Sequence, residues 1–344
     1  MRLGFKVPSI ILIFCIVFVG CSNESTTNES NANENQDTNS EEPVVLKFNN
    51  TSTSQPHRDF GELFASLIEE KTEGRIEVET YFGDAIAEYG IQPVLTGTVD
   101  FNQIIPSNAA DLSPKLSLFD APYIYNDLEH ALKAVDPRSP IVEEVNKEIE
   151  DEGLRFITAY PMGFRHITSN KEIKSVDDLN GLKIRVVPSE IYQDTISAFG
   201  AAPTPMPFSE VATSLTTGVI DGQENPLSAV VPNGIHEMQD YIIETEHLMS
   251  LAGIFMNNEK YEQLSSEDQD ALLDAATEGT NQLANDIKEQ ENQWRNEAEE
   301  AGVNIIGEDN GLQLEEFKEK GDEVNEQYKD SWGELYNQII EMGD

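Results

Sequence analysis

From Val44 onward the chain is built of short apolar segments whose spacing switches between the period of a strand and that of a helix. Val44 to Phe48 reads as a first strand; Phe60, Leu63, Phe64, Leu67 and Ile68 then recur on one face of a helix that Glu73-Gly74 ends. Arg75 to Tyr81 alternates as a second strand, followed by a helix near 89–96 and a third strand at 99–105. Strands separated by helices predict a mainly parallel sheet flanked by helices, and in such sheets ligands bind beyond the carboxyl ends of the strands.

Two further helices, at 128–135 and 141–152, lead to a strand at 154–158 and then to Pro161-Met162-Gly163. A second α/β unit follows, with strands at 166–169, 182–187 and Val219-Ile220 and helices at 176–179, 191–199 and 208–217. Strands at 241–245 and 248–256 precede a polar helix over 267–301, a strand at 303–306 and a last helix past Leu314. Ser266, with Gln269 three residues on, reads as the N-cap of the polar helix, and Gly302 as its stop. About 35 residues at 1.5 Å each span roughly 52 Å, longer than one small domain, so this helix is expected to run along both units. The predicted organisation is a signal over 1–21, a tether over 22–42, a first lobe over 43–162 with a return segment at about 250–290, and a second lobe over 163–249 with the C-terminal segment from about 291 to 344.

The N-terminus adds a location. Arg2 and Lys6 precede an apolar run from Val7 to Val19 that is too short for a permanent transmembrane helix, so it reads as an export signal. Phe18-Val19-Gly20-Cys21 resembles the bacterial lipobox, which predicts cleavage before Cys21, acylation of that cysteine and anchoring of an extracytoplasmic protein to the cell membrane; an uncleaved N-terminal anchor is the alternative. Residues 22–42 are almost purely Ser, Thr, Asn, Gln, Glu and Asp and read as a flexible tether. Cys15 and Cys21 are the only cysteines, so the mature chain has no disulfide and depends on its core.

Charge narrows the function further. The formal net charge is −42, and no basic stripe exists to neutralise phosphates, which excludes nucleic acid as a partner. Residues 153–235 hold six Lys/Arg against eight Asp/Glu, whereas 236–344 hold six against twenty-nine. An anion is repelled by this chain at long range, so its binding has to rest on short, desolvated, charge-assisted bonds, for which the arginine fork is better suited than lysine.

Arg165 and Arg185 meet that need, each in a strand-like run; either can also be read as a structural salt-bridge arginine. Asn225, between Glu224 and Pro226, offers donor and acceptors on what reads as a turn after a strand, or is an ordinary turn asparagine. Phe208 either closes over a ligand or staples the helix it precedes. His166 faces away from Arg165 if the segment is a strand and is taken as structural, and the histidines show no metal-ligand spacing. No G-x-S-x-G, P-loop or H-E-x-x-H signature is present, and no pair of carboxylates stands out as acid and base, so neither catalysis nor a cofactor is indicated.

The series R-H-I-T-S-N (165–170), G-L-K-I-R-V (181–186), P-M-P-F-S-E-V (205–211) and T-G-V-I-D-G-Q-E-N-P (217–226) resembles, in order and spacing, the solute-binding proteins of tripartite ATP-independent periplasmic (TRAP) transporters of the C4-dicarboxylate-binding type. The resemblance runs from the signal to the last helix. It implies a periplasmic-binding-protein-like α/β fold of two lobes, a cleft between them and a long helix bracing both. It also implies that Arg185 is the principal carboxylate anchor, Arg165 the second arginine, Phe208 the aromatic beside the ligand and Asn225 a ligand contact. For the first lobe it points to the neighbourhoods of Asn49-Asn50-Thr51, Ala87-Glu88-Tyr89 and Ile105 to Asn108, with Thr51 and Glu88 as the named contacts. A carboxylate at Glu88 would repel a second negative group, so a sugar acid or uronate is expected ahead of a dicarboxylate. The implied partners are the small and large TRAP membrane subunits; the alternatives are a ligand-binding lipoprotein that serves a signalling receptor, and a C4-dicarboxylate-specific binder.

Overall fold

The computed structural model describes residues 42–50, 52, 54–83 and 85–343. The proposed signal, the lipidation residue Cys21 and the predicted contact Thr51 lie outside them. The first wing comprises β1 (Val44–Asn50), α1 (Gln55–Lys71), β2 (Ile76–Phe82), α2 (Gln92–Leu95), β3 (Phe101–Ile104), α3 (Leu128–Val135) and α4 (Pro140–Ile149). Then come β4 (Leu154–Ser169), β5 (Lys183–Val186), α5 (Glu190–Ala198), β6 (Ala202–Pro205), α6 (Val211–Thr216), β7 (Gly222–Pro226), α7 (Leu227–Val230) and β8 (Tyr241–Ile243). The chain returns through β9 (Met249–Asn257) and α8 (Asn258–Gln263), runs the length of α9 (Ser266–Glu300), and ends with β10 (Asn304–Ile306), α10 (Leu314–Trp332) and α11 (Glu334–Met342).

Among the described residues the strand order is β2-β1-β3-β9-β4-β7-β5-β6, with β8 joining β4 and β10 joining β8. The two ends are parallel, β1 with β2 and β3, and β5 with β6 and β7, while the long strands β4 and β9 run antiparallel through the middle. This is the two-lobed periplasmic-binding-protein-like fold, and β4 and β9 are the segments that pass between its lobes.

The strand expected at 154–158 and the one at 166–169 are a single strand of sixteen residues. Pro161 does not break it: Pro161 stands opposite Leu251, and the register shifts between Pro161 and Phe164, where Gly163 takes a φ of +101° that side chains other than glycine's disfavour. The kink falls two residues before Arg165. A second correction concerns Q-E-N-P, which was expected on a turn but forms β7, buried along its length; the expected strand Val219-Ile220 is only the approach to it. Gly222 is needed there, because a Cβ would collide with the Thr168 carbonyl of β4. β6 was missed in the sequence, since its Ala-Pro-Thr-Pro shows no apolar alternation, and it is held as an edge by pairing with β5 alone.

Helix α9 is 35 residues long and buries Leu272, Ala276, Gly279, Leu283, Ile287 and Trp294 in one stripe. It packs on α1, on β4 and on α7, so it braces both wings. Its N-cap is Ser265, whose Oγ accepts from Asp268 N at 3.1 Å, one residue before the expected Ser266. Gly302, at φ +93°, ends it as expected. Among the described residues no helix is long and apolar enough to cross a membrane.

Candidate ligand-binding site

Parallel pairing brings the carboxyl ends of β5, β6 and β7 to one edge, and with them Arg185, Met206 to Phe208, and Asn225. Parallel pairing of β1, β2 and β3 likewise collects Asn49, Asn50 and the loops that start at Phe82 and Ile104. The predicted neighbourhoods therefore sit where an open α/β sheet places its ligands.

Arg165 is 2% exposed, and its surroundings follow from register. β4 pairs antiparallel with β7 so that Ile167 stands opposite Glu224, which puts Arg165 and Glu224 on one face as diagonal neighbours. Arg165 Nε donates to Glu224 Oε2, and Nη2 donates to Glu224 Oε1 at 2.9 Å, to the Glu224 carbonyl at 2.6 Å and to Asn225 Oδ1 at 2.9 Å. Nη1 donates to Ser250 Oγ at 3.1 Å. Of the five N–H hydrogens of a guanidinium, one on Nη1 is left. Burial alone would raise the Glu224 pKa, but Arg165 overrides it and holds the carboxyl at about 2. His247 Nε2 lies 3.4 Å from Glu224 Oε2, and the Tyr192 ring is 5.2 Å from the Arg165 guanidinium carbon.

Arg185 is also buried, at 3% exposure, yet its environment is different. Nε and Nη2 both donate to the Met206 carbonyl, at 3.0 and 2.8 Å. No carboxylate of the described residues forms an ion pair with it. Three of its five N–H hydrogens remain, two on Nη1 and one on Nη2, the edge that meets a carboxylate bidentately. Burial lowers its pKa from 12.5 to about 10, with Glu224 opposing the fall and Arg165 adding to it, so it stays charged at neutral pH. The Phe208 ring, 39% exposed, stands 5.8 Å from the Arg185 guanidinium carbon. Pro-Met-Pro-Phe thus supplies a carbonyl that orients the fork and an aromatic face beside it.

Asn225 is 6% exposed, accepts from Arg165 and donates through Nδ2 to Gln223 Oε1 at 2.5 Å, which leaves it one Nδ2 hydrogen. His166 stands opposite Asn225 on the other face of β4 from Arg165. In the first wing Asn49 Nδ2 donates to Asn102 Oδ1 at 3.0 Å and to Ala87 O at 3.4 Å, and Asn102 Nδ2 donates to Gly90 O at 2.8 Å. Together they pin the loop that carries Glu88 and Tyr89. Glu88 itself is exposed and takes part through its carbonyl, which accepts from Asn102 Nδ2 at 3.4 Å. The next side chain, Tyr89, accepts through Oη from Ile105 N at 3.0 Å and from Asn108 Nδ2 at 3.1 Å.

Several contributors were not singled out in the sequence. Asp120 is fully buried, accepts from Ser107 N at 2.8 Å and from Tyr192 Oη at 3.2 Å, and burial raises its pKa from 3.8 to about 6. Ser189 Oγ donates to Ser107 Oγ at 2.9 Å and so joins the end of β5 to the end of β3. Glu224, Ser250, Tyr192 and Asp120 carry no local signal, since each acquires its role through a contact 59 or more residues away in sequence. A surface hollow of about 450 Å³ lined by Lys133, Asp136, Arg138 and Asn281 shares none of these residues. Its basic groups are committed, Arg138 to Asp274 at 2.9 Å and Lys133 to the Met342 carbonyl at 3.3 Å. Among the described residues no cluster of His, Cys, Asp and Glu is placed to hold a metal ion.

Residues 48–331 match the family of bacterial extracellular solute-binding proteins, family 7 (DctP). The 2,3-diketo-L-gulonate-binding periplasmic protein of Escherichia coli is 32% identical over 259 residues, covering 74% of this chain and 78% of that relative. The C4-dicarboxylate-binding periplasmic protein of Rhodobacter capsulatus is 28% identical over 259 residues, 73% of this chain and 76% of that protein. Among solved structures, a TRAP periplasmic solute-binding protein of Roseobacter denitrificans with bound L-galactonate superposes with a TM-score of 0.75 at 28% identity, covering 87% of this chain and 99% of the other.

Proposed function

The chain belongs to family 7 of the bacterial extracellular solute-binding proteins, and from that membership we propose that it captures a hydroxylated monocarboxylate, a sugar acid or uronate, in the cleft between its lobes and hands it to the membrane subunits of a TRAP transporter. The observation that carries this reading is the buried Arg185, which has no carboxylate partner among the described residues and keeps an edge of three N–H hydrogens. A desolvated guanidinium in that state is an anion receptor, and a bidentate carboxylate supplies the bonds it lacks. Arg165 contributes its one remaining Nη1 hydrogen, Phe208 covers the bound acid and Asn225 offers an Nδ2 hydrogen. Closure is a shift in population toward the form in which both lobes touch the ligand.

The number of negative groups follows from the same count. Arg165 and Glu224 neutralise each other, so one guanidinium is left to be matched by one carboxylate. A C4-dicarboxylate has the support of the Rhodobacter capsulatus relative, but its second carboxylate needs a second free cation; L-galactonate and 2,3-diketo-L-gulonate, the acids in the names of the two other relatives, carry one carboxylate each. The lobe boundaries near 162 and 249, the first-lobe contacts at Thr51 and Glu88, and the lipid anchor at Cys21 are part of the proposal. Titration calorimetry with L-galactonate, galacturonate and succinate tests it. Tight binding of a sugar acid with weak or no binding of succinate is expected; tight succinate binding with no response to the sugar acids would refute the preference. Growth in labelled palmitate, with label lost in Cys21→Ser, tests the anchor.

A further inference from the structure

The second wing carries a face almost without charge. Residues 195–220 include one charged side chain, Glu210, in a chain of which 25% is charged and whose formal net charge is −42. Scarcity of charge is ordinary in a core, but much of this segment lies on the surface: Ala202, Pro205, Thr213, Thr216, Thr217 and Val219 are all exposed. Val219, at 52%, is more open to solvent than any other large apolar side chain among the described residues.

The fold gathers these residues together. β6 is the last strand at its end of the sheet, and α6 carries the chain from it back to β7, so the segment forms the free edge of the second wing and the helix that follows it. The turn at Ile235–Met238 packs beside α6 and adds Met238, 38% exposed. The threonine hydroxyls are turned inward: Thr216 Oγ1 donates to the Ala212 carbonyl and Thr217 Oγ1 to the Thr213 carbonyl, each at 2.8 Å. What α6 offers a partner is therefore mainly methyl groups. The edge of β6 is not built to receive another strand, because Pro203 and Pro205 have no N–H to donate.

We propose that this face, β6 with α6, Val219 and Met238, is where the protein docks on the membrane subunits of its transporter, against a protein surface that is itself uncharged. The inference rests on the TRAP reading given above. Depletion of charge is the compositional mark of an interface core, and it is the one property that sets this face apart from the rest of so acidic a chain. The same property argues against other occupants. A second copy would bring another 42 negative charges toward the first, and an anionic lipid surface would need lysines or arginines, of which residues 195–220 have none. The face is also continuous with the ligand site, since the chain between β6 and α6 passes through Phe208, 5.8 Å from the Arg185 guanidinium carbon. A partner seated there meets the rim over which the acid must leave.

The test places a charge on the face of the full mature protein. Thr216→Glu and Val219→Asp are compared with the uncharged Val219→Thr and with Gln282→Glu, which adds a carboxylate at an exposed position of α9. Labelled L-galactonate is followed into proteoliposomes that hold the small and large TRAP subunits of the same organism, and its Kd is measured by titration calorimetry. Thr216→Glu and Val219→Asp should each lower uptake about tenfold with Kd within about twofold of the parent, while Val219→Thr and Gln282→Glu leave both as they are. Parent-like uptake by both charged variants, or a loss of uptake matched by an equal loss of affinity, would overturn the docking face and leave the proposed function standing. So would a parent dimer in analytical ultracentrifugation that Thr216→Glu dissociates, or phosphatidylglycerol vesicles that sediment the parent but not the variants, since the occupant is then a second copy or lipid. A parent that binds L-galactonate yet drives no uptake would refute the TRAP reading, and the docking face with it.

Discussion

Arg165 and Arg185 are twenty residues apart, equally buried, and opposite in state. Arg165 is closed on itself: Glu224 answers its charge, and Ser250, Asn225 and the Glu224 carbonyl take most of its hydrogens. Arg185 is held by a single backbone carbonyl and keeps an edge free. Burial with a partner gives a structural element that is expensive to break, whereas burial without one leaves a charge whose desolvation is offset only when an anion arrives. The difference separates an arginine whose charge is answered within the fold from one whose charge is left open.

Breaking the closed half should have the largest effect. Removing one partner of a buried pair leaves the other charge unanswered, so Arg165→Ala or Glu224→Gln is expected to cost about 3–5 kcal/mol of stability in denaturant unfolding. The same pair sets the acid limb: Glu224 titrates at about 2 when folded against an ordinary 4.5, so the unfolded chain binds the proton first and the pair's stabilisation is present above 4.5 and lost as the pH falls toward 2. Glu224→Gln should lack that component, which a comparison of unfolding midpoints between pH 5 and pH 3 would reveal.

In the open half stability and function should part company. Arg185→Ala is expected to leave the unliganded protein as stable as the parent or more so, because a desolvated, unpaired charge is removed. It should weaken binding of a sugar acid by on the order of ten- to a hundredfold, the loss of a charge-assisted bond of about 1.5–3 kcal/mol. Arg185→Lys should recover little of it, since a point charge does not reproduce the bidentate edge. A parent-like Kd for Arg185→Ala, or a large fall in its unliganded Tm, would erase the contrast between the two arginines.

The smallest effect should come from Asp120, which is held by Ser107 and Tyr192 and feels the charge of Arg165. Its pKa is about 6 when folded against 3.8, so the folded state holds the proton longer, and this group's contribution to stability falls as pH rises from about 4 to 6. Asp120→Asn should flatten stability over that interval and raise sugar-acid affinity a few-fold at pH 7.5 but less at pH 5, where the parent's Asp120 is already protonated. An identical pH profile in the two proteins would show that the carboxyl does not titrate there.

Much of this protein was legible before any coordinates. The alternating and helical periods from Val44 to Ile68, the stop at Gly302 and the exact span of α3 are local properties, settled by which neighbours three, four or two positions away are apolar and by a single positive φ. The same holds for the run of motifs that marked Arg165, Arg185, Phe208 and Asn225 together. What the pattern could not supply was allocation. Pro161 and Gly163 resemble a break, and only pairing with β9 on the far side makes β4 one strand; Q-E-N-P resembles a turn until β4 and β5 enclose it as β7. Which arginine is neutralised and which is left open depends on a register that sets Glu224 diagonal to Arg165, 59 residues away, and on a carbonyl at Met206 that restrains Arg185 without matching its charge. Local periodicity dictates the elements because it acts through adjacent side chains. The tertiary structure decides the chemistry because desolvation and pairing depend on groups that the chain brings together only when it folds.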